Sequence, residues 1–331
     1  MPEERSRCLK MPEDRPDSIG IIGFPFSKGQ PQGGTELGPS VLRETGLVTK
    51  LESYGNHVTD YGDVLPSFER SDDPVNGIKN PEAVGAANEQ LSKTVAKVLK
   101  EEKSVLTLGG DHSMGIGSIL GHAQVQPDLV VVWVDAHADI NTPLTSSSGN
   151  IHGMPLSFLV RELQDYIPKL PGFEWCSPCI SIRDIVYIGL RDVDPAERAI
   201  IEKFGMYSYS MQEVDKYGIR EVVDRALKQI DPSGSRPIHV SFDVDAMDPT
   251  LTPSTGTPVA GGLSLRESLF LAEEIACTGR LSVLDVAEVN PLLGTEDEKE
   301  TTINNIVNVT ATFYGRHRQG NAPPNYEIPR P

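Results

Sequence analysis

Long apolar runs are missing from this chain of 331 residues. None reaches the roughly 18 consecutive apolar residues that a membrane-spanning helix needs, so no membrane partner is expected. Cysteine is scarce, four residues in all, which gives no disulfide framework in a chain this long. Cys176-Ser-Pro-Cys179 matches C-x-x-C but sits in a proline-rich loop with no partner pair, so structural cysteines are the plainer reading. Basic residues run short: 30 Lys and Arg stand against 47 Asp and Glu, a formal net charge of −17. A surface that acidic repels nucleic acid and anionic lipid, and neither is an expected partner. The opening stretch MPEERSRCLKMPEDRPDS lacks the apolar segment of a secretory signal. Its mixed charges and prolines also argue against a mitochondrial transit peptide, leaving the cytoplasm as the expected compartment.

What is present suffices for a core: 38% of the residues are hydrophobic. Short apolar, β-rich runs alternate with amphipathic helical patterns. Strands are expected at 18–26, 104–108, 128–134, 184–190, 206–210, 237–242 and 281–289. Helices are expected at 36–53, 80–103, 113–123, 195–205, 212–230, 264–277 and 298–313, with Asn80 as N-cap before Pro81. Near-continuous apolar strands alternating with helices predict a three-layer α/β/α fold with a mainly parallel sheet. No linker or composition shift divides the chain. A disordered tail over 1–17, one α/β domain over 18–319 and an extended tail over 320–331 are the expected organisation.

Parallel sheets of this kind carry their chemistry at the carboxyl ends of the strands. Residues 130–141, VVVWVDAHADIN, show why that matters here. Five of the first six residues are apolar, and then Asp135, His137 and Asp139 arrive at every second position. In an extended segment, alternate side chains face the same way. Three ionisable groups together at the end of a buried strand are costly unless they bind a cation. The device recurs in VSFDVDAMDP, where Asp243 and Asp245 follow an apolar run, and in LTLGGDHS, where a strand ends in Asp111-His112. Each motif alone has a bland reading as a helix cap or a glycine turn. Three of them at strand ends point to metal.

The candidate ligands are His112, Asp135, His137, Asp139, Asp243 and Asp245. Carboxylates outnumber imidazoles and no cysteine is near, which suits Mn²⁺ or similar ions better than structural zinc. Six ligands are too many for one tetrahedral ion. With bridging carboxylates they suit two ions about 3.5–4 Å apart, which would lower the pKa of a shared water and present hydroxide as nucleophile.

GGDHS, DAHADIN, SFDVDAMDP and the loop TSSSGNIHG resemble the signatures of the ureohydrolase family of arginases and agmatinases. IGIIGFPFSKGQPQGG, IVYIGLRDVDP, STGTPVAGGL and EVNP extend the resemblance from about residue 18 to 325. It implies two Mn²⁺ per subunit, one held by His112, Asp135, Asp139 and Asp243, the other by Asp135, His137, Asp243 and Asp245. Asp111 and Asp248 would serve outer or turn roles. It also implies a hydrolase of arginine metabolism that splits the guanidinium of L-arginine into L-ornithine and urea. Such an enzyme serves nitrogen disposal through the urea cycle or ornithine supply for polyamines.

By the same resemblance, His152 would shuttle a proton to the leaving amine, the work of a histidine near neutral pKa. Glu288 would pair with the guanidinium, Asp139 would join it and His152 as the third catalytic residue, and Thr257 and His137 would contact substrate nearby. Asn141, Ser148 and Asn150 would hold the α-carboxylate, and Asp194, helped by Glu197, the α-ammonium. Asp194 could equally be a helix N-cap. A homotrimer is implied too, with Arg318 available for an intersubunit ion pair. The departures are small: Ala138 stands where the family pattern has threonine, and D-V-D-A-M-D-P replaces D-V-D-G-L-D-P. Two other readings stay open: a sister enzyme acting on agmatine or another guanidino compound, and a catalytically silent arginine-binding regulatory protein.

Overall fold

The computed structural model describes residues 17–64, 72–102, 104–318 and 327–330. Among the described residues eight strands build one sheet: β1 (Ser18–Gly23), β2 (His57–Asp63), β3 (Ser104–Leu108), β4 (Val130–Val134), β5 (Ile185–Leu190), β6 (Tyr207–Ser210), β7 (Ile238–Asp243) and β8 (Leu281–Ala287). Their order is β2-β1-β3-β8-β7-β4-β5-β6, and every paired neighbour runs parallel. Parallel neighbours need crossovers. These are made by α1 (Gly38–Glu44), α2 (Leu47–Glu52), α3 (Pro81–Glu101), α4 (Gly115–Ala123), α5 (Pro155–Leu159), α6 (Pro195–Phe204), α7 (Met211–Ile230) and α8 (Leu265–Cys277), with α9 (Glu296–Phe313) closing the fold.

Strand alternation divides the helices into two layers. On β4, Val131 and Trp133 share one core with Leu91 and Val95 of α3 and Ile116 and Ile119 of α4. Val130, Val132 and Val134 face the other way, toward Val222 of α7, Ile275 of α8 and Ile306 of α9. Each fully buried aliphatic contributes about 1.5–3 kcal/mol, so a strand buried on both faces is tightly anchored. That anchoring is what lets its carboxyl end carry charge. The expected three-layer α/β/α architecture with a parallel sheet is the one the chain adopts.

Some local expectations are corrected. The segment 36–53 is two short helices, because Gly46 turns left-handed at φ 75° between them. The run 212–230 is interrupted at Gly218, with φ 76° and ψ 151°. Asn80 precedes α3 but does not cap it: its own φ is 50°, and its Nδ2 donates to Lys28 O at 2.9 Å. The α3 N-terminus is served by Asp72, whose carboxylate accepts from Glu82 N at 3.3 Å and Ala83 N at 2.7 Å. Strand β2 is an edge strand with no apolar run, mostly exposed, and went unforeseen. The expected tails lie outside the described residues, apart from Asp17 and 327–330; the latter have no regular secondary structure. Among the described residues no helix is long and apolar enough to cross a membrane.

Candidate active site

Five strands that are consecutive in the sheet, β3-β8-β7-β4-β5, end side by side. Their carboxyl ends deliver Asp111 and His112, Glu288, Asp243 and Asp245, the 135–139 segment, and Asp192 and Asp194, in that order. Two groups of potential ligands form there: His112 with Asp135 and Asp139, and Asp135 with His137 and Asp245. Asp135 belongs to both. Asp243 joins them, its Oδ2 being 3.0 Å from His112 Nδ1 and its Oδ1 accepting from Asp245 N at 2.8 Å. All of these except half-buried His137 are buried.

The donor set fits a divalent cation. His112 Nδ1 has no hydrogen-bond partner among the described residues. It nonetheless lies 3.1 Å from Asp135 Oδ2, 3.3 Å from Asp139 Oδ2 and 3.0 Å from Asp243 Oδ2. Its other nitrogen, Nε2, is 2.8 Å from Ser241 Oγ. When Nε2 donates there, Nδ1 presents a lone pair among carboxylate oxygens, the environment of a metal ligand. Burial, and then the neighbouring acid Asp135, push the Asp139 carboxyl up to about 6. Burial, with Asp245 and Asp135 adding to it, raises Asp243 as well. Asp135 goes the other way, because His112 and His137 outweigh its burial and lower it. Acids crowded this closely repel one another, and a bound cation relieves both the repulsion and the desolvation.

A cavity of about 140 Å³ opens over these groups, lined by His137, Asp139, Asn141, His152, Gly153, Asp192, Asp194, Glu197, Asp243 and Thr257. Thr257 Oγ1 donates to Asp245 Oδ2 at 2.9 Å. On one side His152 Nδ1 lies 3.3 Å from Glu288 Oε1. Burial alone would depress His152, but the Glu288 carboxylate outweighs it and holds the imidazole up to about 9. On the other side Asp194 sits at the N-cap of α6 and accepts from Asn141 Nδ2 at 2.9 Å. Glu197 is buried beneath, accepting from Ile140 N and Asp194 N at 3.0 Å each. Burial, with Asp139 adding to it, raises Glu197 to about 7. Ser148 and Asn150 are not on the cavity wall. Ser148 is exposed, and Asn150 Oδ1 accepts from Lys79 Nζ at 3.2 Å. Asp111 lies behind the site, accepting from Gly29 N and Ser113 N, and Asp248 accepts from Thr250, Gly261 and Gly262 in a turn. Arg318 pairs with Glu273 of the same chain through Nε at 3.0 Å.

A family model described as "Arginase family" matches residues 17–314. The chain belongs to the arginase family. It is 56% identical over 308 residues to Arginase-1 of Oryctolagus cuniculus, a match covering 93% of this chain and 96% of the relative. It is 55% identical to Arginase-1 of Homo sapiens over 308 residues, with the same coverage. Among solved structures, the native arginase of Bacillus caldovelox superposes with a TM-score of 0.82 at 35% identity, covering 92% of this chain and 99% of that one.

Several residues that shape this arginase-family site were not singled out from the sequence. Trp133 stacks on His112, ring centroids 4.1 Å apart at 10°, and donates Nε1 to Asp135 Oδ2 at 3.0 Å. Ser241 precedes Asp243 by two on β7, so strand alternation alone puts both on one face. Asp192 Oδ2 is 3.7 Å from His137 Nε2 at the mouth. Arg191 staples the loops: its guanidinium donates to the carbonyls of Gly189, Asp245, Ala246, Met247 and Val259. The segment carrying Asp245 is thereby tied both to the end of β5 and to the loop carrying Thr257. Asp139 and Glu288 have left-handed backbone, φ 50° and 67°. Non-glycine residues held there store about 1–3 kcal/mol each, strain that clusters at functional sites.

Proposed function

We propose that this chain is an arginase, hydrolysing L-arginine to L-ornithine and urea. The observation that carries the reading is the pair of His/Asp groups sharing Asp135 at the floor of an open cavity, in a chain of the arginase family. His112, Asp135, Asp139 and Asp243 would hold one divalent cation, and Asp135, His137, Asp243 and Asp245 the other. Manganese is the ion that this carboxylate-rich set favours in our reading. Bound there, the pair supplies Lewis-acid activation of water. Glu288 binds the guanidinium, a planar cation suited to bidentate pairing with a carboxylate. His152, kept protonated by Glu288, gives a proton to the departing amine. Asp194 holds the α-ammonium with Glu197 beneath it, Asn141 takes the α-carboxylate, and Thr257 braces Asp245 beside the substrate. Ser148 and Asn150 would join the α-carboxylate contacts only if the 142–150 loop turns inward on binding. A homotrimer, a cytoplasmic location and a place in nitrogen disposal or polyamine supply complete the reading.

Removal of divalent ions by a chelator should abolish urea release from L-arginine, and added Mn²⁺ should restore it. Undiminished release from the chelated protein would overturn the metal reading. Release from agmatine exceeding that from L-arginine would move the substrate to the decarboxylated analogue. Asp194→Ala removes the acid assigned to the α-ammonium. The KM for L-arginine should rise about tenfold, the loss expected of one charge-assisted contact, while the poor rate with agmatine changes less. Equal losses for both substrates would take Asp194 out of substrate recognition.

A further inference from the structure

The loop that follows β1 supplies none of the ligands and none of the cavity lining, yet it touches the parts that surround the guanidinium end. Gly29 N donates to Asp111 Oδ2 at 2.8 Å, and Gly29 O accepts from His152 N at 3.0 Å. A side chain at Gly29 has no room, since a Cβ there would lie 2.3 Å from Asp111 Oδ1. Gln30 reaches furthest inward. Its side chain is buried, and Nε2 donates both to Glu288 Oε2 and to Thr35 Oγ1, each at 3.1 Å. We propose that Gln30 is a positioning residue that fixes the plane of the Glu288 carboxylate for the substrate guanidinium. This rests on the reading of Glu288 given above.

An ionised carboxylate accepts only, with about two positions on each oxygen. His112 N takes one on Oε1 at 2.7 Å, and Gln30 Nε2 takes one on Oε2. One position then remains on each oxygen, the pair that a guanidinium edge occupies in bidentate fashion. The looser contact of His152 with Oε1, at 3.3 Å, is the one that gives way. Backbone geometry does not set this plane by itself, because the terminal torsion of a glutamate is broad and two-fold. With His112 N alone, the carboxylate pivots about Oε1. Gln30 removes that freedom, and its own amide cannot reverse, since its oxygen would then face the carboxylate. Gly256 closes the far side: a Cβ there would come within 3.1 Å of Gln30 Oε1.

The test is Gln30→Met, which keeps the side-chain length and removes the amide. The KM for L-arginine should rise roughly tenfold, while kcat falls no more than about threefold, the pattern of lost uniform binding. Inhibition by L-ornithine, which has no guanidinium, should be unchanged, as should the metal ions per chain and the melting temperature. In a Glu288→Gln background, Gln30→Met should have no further effect on KM. A full effect in that background, or parallel weakening of L-ornithine and L-arginine, overturns the role of Gln30. An unchanged KM in Glu288→Gln alone instead overturns the reading of Glu288, and the Gln30 proposal with it. Should Gln30→Met fail to fold, Gln30→Glu keeps the outline and sets a second acid against Oε2. The same split between L-arginine and L-ornithine is expected, with a larger rise in KM, and its absence overturns the proposal.

Discussion

Asp135→Asn should leave less than one metal ion per chain and cut urea release by roughly a thousandfold, well beyond the 10–100-fold that loss of an outer-shell partner costs. The reason is its position. Asp135 is common to the two His/Asp groups, has no exposed surface, and with Asp243 is assigned to both ions. Its Oδ2 faces His112 Nδ1 at 3.1 Å, and its Oδ1 faces His137 Nδ1 at 3.4 Å. Asparagine keeps the shape and accepts from Trp133 Nε1 or His137 N as before. The fold should therefore survive while both groups lose their shared charge. Asp245→Asn is the informative contrast, since Asp245 belongs to one group alone. It should keep about one ion per chain and lose the other, because the coordination of the two ions is only partly shared. Elemental analysis of the dialysed proteins separates the two cases. Two ions retained by Asp135→Asn would end its assignment as a bridging ligand. Equal losses in both variants would mean a single site rather than a pair.

The parts of the site that can be read from the sequence are those encoded by strand alternation. Asp135, His137 and Asp139 follow an apolar run at two-residue spacing, and Asp243 and Asp245 repeat it. That local periodicity is enough to aim them together. The order of the strands in the sheet then does what no local pattern reveals. It sets β3, β8, β7 and β4 side by side, so that His112, Glu288, Asp243 and Asp135 meet although they are far apart in the chain. Gln30 escapes notice for that reason, as its partner Glu288 lies 258 residues away. The left-handed backbone at Asp139 and Glu288 is imposed by the packed fold and has no signature in residues that could equally be extended. The edge strand β2 is illegible for the opposite reason. Its HVTDYGD sequence is mostly exposed and packs only Val58 and Tyr61 against the cores, so hydrophobic periodicity is nearly silent there. The 142–150 loop shows the limit of motif reasoning: TSSSGN names plausible donors, but Asn150 is engaged by Lys79 and Ser148 points outward.

His152→Ala should lower kcat about a hundredfold while two metal ions and the KM for L-arginine change little, because a positioned general acid contributes roughly 10²–10⁴. The imidazole is hydrogen-bonded to Glu288 Oε1. The backbone of the loop stays tied through His152 N to Gly29 O, at 3.0 Å, whatever the side chain. Glu288 keeps its bonds from His112 N and Gln30 Nε2. The imidazole lines the cavity, so added imidazole should reach the vacated space and recover part of the rate. The sign of the pH effect follows from the partner. Glu288 raises His152 to about 9 in the substrate-free site, so the free enzyme carries the proton for the amine below that pH and loses it above. The ratio of unmodified to variant kcat/KM, which reports the free enzyme, should therefore narrow between about pH 8 and about pH 10. A ratio that stays constant across that range, with metal content intact, would show that the proton reaches the amine by another route. A variant as fast as the unmodified protein would remove His152 from the mechanism altogether.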